Sequence, residues 1–190
     1  KAFEKGFLYK GNYPVHVCPH CETAVAYNEI EYEKITETSI YVKFKVKGKS
    51  NEYVLIWTTT PWTLPANTGV MAKPDAEYVR VKINDETLIL AKQLLDTVFK
   101  KARIQNYQIL ESLTGKQLEG LKYEHPLSDI LTFQKNLKDA HRIVLSDQFV
   151  TLEEGTGLVH TAPGHGQEDY KIGLETGLPA ISPVRMDGTF

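Results

Sequence analysis

The chain has 190 residues, 42% of them hydrophobic, a formal net charge of −2 and two cysteines. That length suffices to bury one real core, and the near-zero charge excludes a uniformly basic nucleic-acid surface. A nucleic-acid partner would have to be held by local patches or by another part of a larger protein, and no apolar run approaches the roughly 18–20 residues of a membrane span.

No signal-peptide pattern opens the chain. Lys1 to Phe7 read as the end of a helix cut mid-element, and Pro183 to Phe190 stop in a turn, so an excised domain is expected. Residues 1–36 read as a connecting segment around Cys18-Pro19-His20-Cys21, and residues 37–190 as the main domain. The Cys-x-x-Cys spacing is half of a common zinc knuckle, with His16 and His20 nearby. No second pair exists to complete four ligands. A redox dithiol is the rival reading, but the fold context of a thioredoxin motif is missing.

Ile40, Val42, Phe44 and Val46 alternate with Tyr41, Lys43 and Lys45, the pattern of a half-buried strand. Gly48 to Asn51 turn it back into Tyr53 to Trp57, predicting a hairpin. Val79 to Ile83 and Thr87 to Leu90 predict a second. Leu94, Leu95, Val98 and Phe99 fall at helical spacing within Ala91 to Lys101. Further strands are expected at Ile104 to Leu110, His141 to Leu145 and Gln148 to Thr151, with a loop beginning at Thr114-Gly115. Gln167 to Thr176 reads as a helix stopped by Gly177. Many short strands with a few helices predict an α+β fold, a closed or nearly closed β-barrel with helices packed around it.

Two stretches carry chemistry. Trp57-Thr58-Thr59-Thr60-Pro61-Trp62-Thr63-Leu64-Pro65-Ala66-Asn67 follows a buried strand, and its prolines prevent that strand from continuing. It reads as a strand end bending into a loop that presents hydroxyls and free N–H groups. Gly155 to Tyr170 holds His160 at a strand end, four glycines (Gly155, Gly157, Gly164 and Gly166) that permit close backbone approach, and Asp169 in the first turn of a helix. Each feature alone has a plain structural reading: a threonine-rich loop, a packed histidine, a helix-end acid stabilised by the macrodipole.

Together the two stretches resemble the editing domain of isoleucyl-tRNA synthetase, an insertion in the class I synthetase catalytic fold. The resemblance covers almost the whole chain: Thr58 to Asn67, the segment Leu118-Glu119-Gly120-Leu121-Lys122-Tyr123-Glu124-His125-Pro126, and His160-Thr161-Ala162-Pro163-Gly164-His165-Gly166. Valyl and leucyl relatives carry Thr-Thr-Arg-Pro where this chain has Thr58-Thr59-Thr60-Pro61, and Pro-Ala-His-Asp in the later loop. One departure is Glu168, where relatives often show a second aspartate beside Asp169.

The resemblance implies hydrolysis of the ester of Val-tRNA(Ile). One methylene in an apolar pocket discriminates by only ~1–3 kcal/mol, a limit for which isoleucyl-tRNA synthetase is the standard illustration, so a second, smaller site must remove valine. By the resemblance, Asp169 holds the α-ammonium, His160 walls out isoleucine, and Thr58, Thr59 and Thr60 align a water. Trp57, Trp62, Asn67, Thr161, Ala162, Gly164, His165 and Gly166 contact the tRNA end. No Ser-His-Asp order or Cys-His pair supplies a base. Water positioning, helped by the vicinal ribose hydroxyl, is the implied chemistry. Valyl-type removal of threonine and a non-catalytic module for the tRNA acceptor end are the alternatives.

The expected partners are the 3′ acceptor end of tRNA(Ile) carrying valine and the rest of a synthetase chain, in the cytoplasm and with no membrane contact. No cofactor is expected for this segment. ATP, and zinc at Cys18 and Cys21, would belong to a longer parent. The chain lacks the His-x-Gly-His and Lys-Met-Ser-Lys-Ser patterns and should not aminoacylate.

Overall fold

A computed structural model describes residues 1–190. Strands β1 (Val17–Cys18) and β2 (Thr23–Ala24) form a two-stranded ribbon whose turn carries both cysteines. The predicted first hairpin is β3 (Ile40–Val46) with β4 (Glu52–Thr58). A 3₁₀ helix, Pro61–Ala66, then leads to β5 (Gly69–Ala72). The second hairpin is β6 (Glu77–Ile83) with β7 (Glu86–Ala91), followed by α1 (Leu95–Lys101) and β8 (Gln108–Thr114). The remaining elements are α2 (Gly115–Leu118), β9 (Tyr123–Glu124), α3 (Thr132–Lys135), β10 (Arg142–Leu145), β11 (Leu158–Thr161) and α4 (Gln167–Thr176).

The fold is α+β, as expected, but the hydrogen-bonded ladders stay open. One sheet runs β8-β6-β7-β4-β3-β9, the other β10-β5-β11. They are joined at one seam by the Lys122–Arg142 bridge and by the Tyr123 N–H donating to the His141 carbonyl at 2.9 Å. The physical reason is visible at the edges. β9 is only two residues long, and the free edge of the seven-residue β8 meets solvent rather than another strand.

Phe44, Val54, Ile56, Tyr78, Val79, Val81, Ile89 and Leu90 fill the main core with no exposed surface. At about 1.5–3 kcal/mol per buried large side chain, this cluster supplies most of the driving force for folding. A smaller cluster (Met71, Val144, Val150, Ile172, Leu178) clamps α4 onto the β10-β5-β11 sheet. α4 ends at Gly177 with φ 73°, a left-handed cap that glycine adopts at no steric cost. That clamp sets where the first turn of α4, and hence Asp169, must sit.

Several expectations shift. Residues 1–7 form turns rather than a helix, and α1 starts at Leu95 because β7 extends through Ala91, whose N–H donates to the Thr156 carbonyl at 2.8 Å. The strand expected at Ile104 to Leu110 lies at Gln108–Thr114, since α1 and its turn occupy the preceding residues. The loop expected from Thr114-Gly115 begins instead with one helical turn, its start bracketed by the Thr114 N–H donating to Gln117 Oε1 at 2.8 Å. Gln148 to Thr151 pairs with nothing in a sheet. β5, fully buried and central to the smaller sheet, has no alternation to betray it in sequence.

Candidate functional site

The threonine run bends where its own side chains take over the backbone donors. β4 ends at Thr58, and the Thr60 N–H donates to Thr58 Oγ1 at 3.1 Å. Pro61 then opens the 3₁₀ helix without needing a donor. The turn places Thr63 so that its hydroxyl donates to the Thr60 carbonyl at 2.8 Å. β11 runs antiparallel to β5 and carries His160 to the same place, opposite Val70.

The two segments face one another across a single cavity of about 390 Å³. Of the residues singled out in the sequence, Trp57, Thr58, Thr59, Thr60, Trp62, Gly155, Gly157, His160, His165, Gly166 and Asp169 line it. Asn67, Thr161, Ala162 and Gly164 do not. Asn67 is fully buried behind His160, Thr161 is buried within β11, and Ala162 acts through its backbone. Sequence reasoning missed Thr63, Phe149, Thr151 and Glu154 in the lining. Thr63 had a signal, its three-residue spacing from Thr60; Phe149 and Glu154 had none.

His160 is locked and neutral. The Asn67 amide nitrogen lies 3.0 Å from His160 Nδ1, and Asn67 Oδ1 accepts the Tyr123 hydroxyl at 2.6 Å. An amide nitrogen only donates, so Nδ1 accepts and the ring proton sits on Nε2. Nε2–H then donates to Thr63 Oγ1 at 2.7 Å, and Thr63 passes its own hydrogen to the Thr60 carbonyl. Burial holds the ring down to about 4, with the neighbouring His125 and His165 adding to the shift. Both nitrogens are committed, so His160 has no lone pair to act as a base. It is a rigid wall.

Asp169 sits in the first turn of α4, where the helix dipole favours its charge by about 0.3–1 kcal/mol. Burial outweighs this and raises the carboxyl to about 6, against the Ala162 N–H that donates to Oδ2 at 3.0 Å. Its other oxygen has no protein partner, and no Lys or Arg lines the cavity. The site therefore holds an acid without a counter-charge. His165 packs edge-on against Trp62 with ring centroids 5.5 Å apart, and burial lowers its pKa too.

Gly155, Gly157 and Gly166 line the cavity, and close chain packing also requires glycine at several of these positions. A Cβ on Gly155 would stand 2.9 Å from the Trp57 ring, and one on Gly157 2.4 Å from Ala91. One on Gly164 would reach within 2.0 Å of the Ile181 carbonyl oxygen. Backbone cannot yield as a side chain can, so Gly164→Ala is expected to lower stability by about 1–3 kcal/mol in denaturant titration.

Cys18 and Cys21 are free thiols on the ribbon, and no group of three or more His, Cys, Asp or Glu side chains converges to hold a metal. Backbone N–H groups of Cys21 and His20 lower the Cys18 thiol, while the Cys18 side chain raises that of Cys21.

No protein-family model matches the chain. Among solved structures, it resembles GlLeuRS-CP1 with a TM-score of 0.59 and 18% identity, over 73% of this chain and 59% of that one. It also resembles the cytosolic leucyl-tRNA synthetase editing domain of P. falciparum (TM-score 0.51, 15% identity, 63% of this chain and 44% of that one). The fold is thus that of an aminoacyl-tRNA synthetase editing domain. By sequence the chain is 49% identical to isoleucine–tRNA ligase of Sulfolobus acidocaldarius over its whole length, which is 18% of that protein. It is 52% identical to the Pyrococcus abyssi isoleucine–tRNA ligase, again over the whole chain and 19% of that protein. The chain belongs to the isoleucine–tRNA ligase family and spans about a fifth of the length of those relatives.

Proposed function

We propose that this chain is a post-transfer editing domain that hydrolyses the ester joining valine to tRNA(Ile). The observation that carries this reading is the cavity between the threonine bend and the β11–α4 loop, whose half-buried carboxylate lacks any cation. The α-ammonium of an aminoacyl ester supplies the missing charge at Asp169. His160 limits the side chain that can enter beside it.

The chemistry follows from what the site lacks. His160 is committed at both nitrogens, and Thr58 Oγ1 has only the Thr60 N–H and, at 3.4 Å, the Thr60 hydroxyl as neighbours. No base is hydrogen-bonded to the Thr58, Thr59 or Thr60 hydroxyl. An aminoacyl ester is already reactive, so threonine hydroxyls that orient a water at its carbonyl suffice, aided by the vicinal ribose hydroxyl. Trapping an acyl-enzyme on any of these threonines would refute this route. Thr60→Val keeps the shape and removes one hydroxyl, so turnover should fall roughly 2–10-fold with an unchanged melting temperature.

Ionised Asp169 is the competent form. Log kcat/KM is therefore expected to fall with unit slope below about pH 6. A profile flat to pH 5 would remove Asp169 from substrate binding.

The deciding experiment measures release of amino acid from Val-, Thr- and Ile-charged tRNA(Ile) by residues 1–190. Faster release of valine supports the proposal. Preference for threonine indicates valyl-type editing, and binding without turnover indicates a docking module. The rest of a synthetase and the 3′ acceptor end of tRNA(Ile) carrying valine are the proposed partners. ATP-dependent activation would lie outside this segment, and Cys18 with Cys21 could give a structural zinc only two of its usual four ligands.

A further inference from the structure

Behind the His160 wall lies a second cleft of about 390 Å³. It is lined by Lys47, Lys122, Lys135 and Arg142 against a single acid, Asp139. This local excess of positive charge sits on a chain whose net charge is −2. Several cations elsewhere on the surface are paired with acids: Lys43 with Glu86, Lys73 with Asp147, Lys92 with Glu77, Lys116 with Asp75. In the cleft only Lys135 has a carboxylate partner, Asp129 at 3.1 Å. Arg142 is held by the backbone carbonyls of Asp139 and Thr176 rather than by an acid.

The backbone forces these charges together. The Lys47 N–H donates to the Lys122 carbonyl at 2.8 Å, and Lys122 bridges antiparallel to Arg142. Three separate segments thus each place a cation at the seam between the sheets. Like charges at cross-strand spacing are unfavourable, and nothing in the main or second core requires lysine at the exposed positions 47 and 122. The positive field also reaches His141, which burial, His125 and Lys47 together hold down to about 4.

We propose that this cleft is a phosphate-binding site, and that its ligand is the backbone of an RNA strand. Three ammonium groups and a guanidinium lining one cleft suit successive phosphates better than one small carboxylate. Tyr123 is among its lining residues, and its hydroxyl meets Asn67 and through it His160, so one hydrogen-bonded chain runs from the cleft to the cavity wall. An RNA strand held there lies close to the cavity without occupying it.

The test is a Lys47→Ala/Lys122→Ala double variant, in surface residues that leave the core untouched, with melting temperature as the folding control. The probes are an uncharged RNA duplex with a four-nucleotide 3′ single strand, titrated across salt concentrations, and inorganic pyrophosphate. The expected result is RNA affinity about tenfold or more weaker at low salt, with a log–log salt slope shallower by about 1–2. Loss of pyrophosphate binding with unchanged RNA binding would keep the phosphate site and assign it to free anions. Unchanged binding of both, or no binding of either by the unaltered chain, overturns the proposal. Because the RNA carries no amino acid, these outcomes are independent of whether the chain deacylates.

Discussion

Asp169→Asn should stabilise the protein and abolish deacylation in the same variant. The folded-state carboxyl is raised from 3.8 to about 6, so ionising it in place costs about 3 kcal/mol relative to the unfolded chain. The sign follows from linkage. Between pH 4 and 6 the folded protein holds this proton more tightly than the unfolded chain, so stability falls as pH rises through that window, and the full penalty is present above it. Asparagine keeps an oxygen for the Ala162 N–H and carries no charge. The variant should therefore gain about 1–3 kcal/mol at pH 7.5 and nothing below pH 4, as read by denaturant unfolding at both pH values. It loses the anchor for an ammonium, and turnover of Val-tRNA(Ile) should drop by two orders of magnitude or more, in line with the strength of a buried charge-assisted contact. A variant that is no more stable at pH 7.5 would mean that Asp169 is solvated. One that still turns over would mean that the ammonium is held elsewhere.

His160→Ala should relax size selection rather than stop the reaction. His160 is 7% exposed, and its two polar contacts go to Asn67, buried behind it, and to Thr63 beside it in the lining. Removing it opens space at the wall while leaving Asp169 and the threonine hydroxyls in place. The gain for the larger isoleucine ester is bounded by what one methylene is worth, ~1–3 kcal/mol, or roughly 10–200-fold. Correctly charged Ile-tRNA(Ile) should then be hydrolysed, detected as loss of charged tRNA in a single-turnover assay. The variant should also be less stable by about 1–3 kcal/mol, because Asn67 and Thr63 lose buried partners. Selectivity that survives in a folded His160→Ala protein would place the wall elsewhere, with Phe149 and Val159 the next candidates in the lining.

The hairpins β3–β4 and β6–β7 and helix α4 were legible because their signals are local: alternation, a turn of the right length, a capping glycine. β5 was not, since four consecutive buried residues show no period, and its neighbours β10 and β11 lie about 70 and 90 positions away. How the two sheets meet was equally hidden. Counting strands says nothing about which edges meet, and the seam at Lys122–Arg142 depends on a crossover that no local pattern encodes.

Residue types and spacing determined that a hydroxyl-rich bend, a histidine at a strand end and an acid in a first helical turn were present, and motif resemblance implied their chemistry. Only the tertiary structure decided their states. It spent both nitrogens of His160 on a buried network running through Tyr123, Asn67 and Thr63. It withheld a counter-charge from Asp169, and it moved Asn67 and Gly164 from the cavity lining into its scaffold. Protonation and accessibility depend on which groups from distant segments are packed around an atom, and that is a property of the folded chain rather than of any stretch of it.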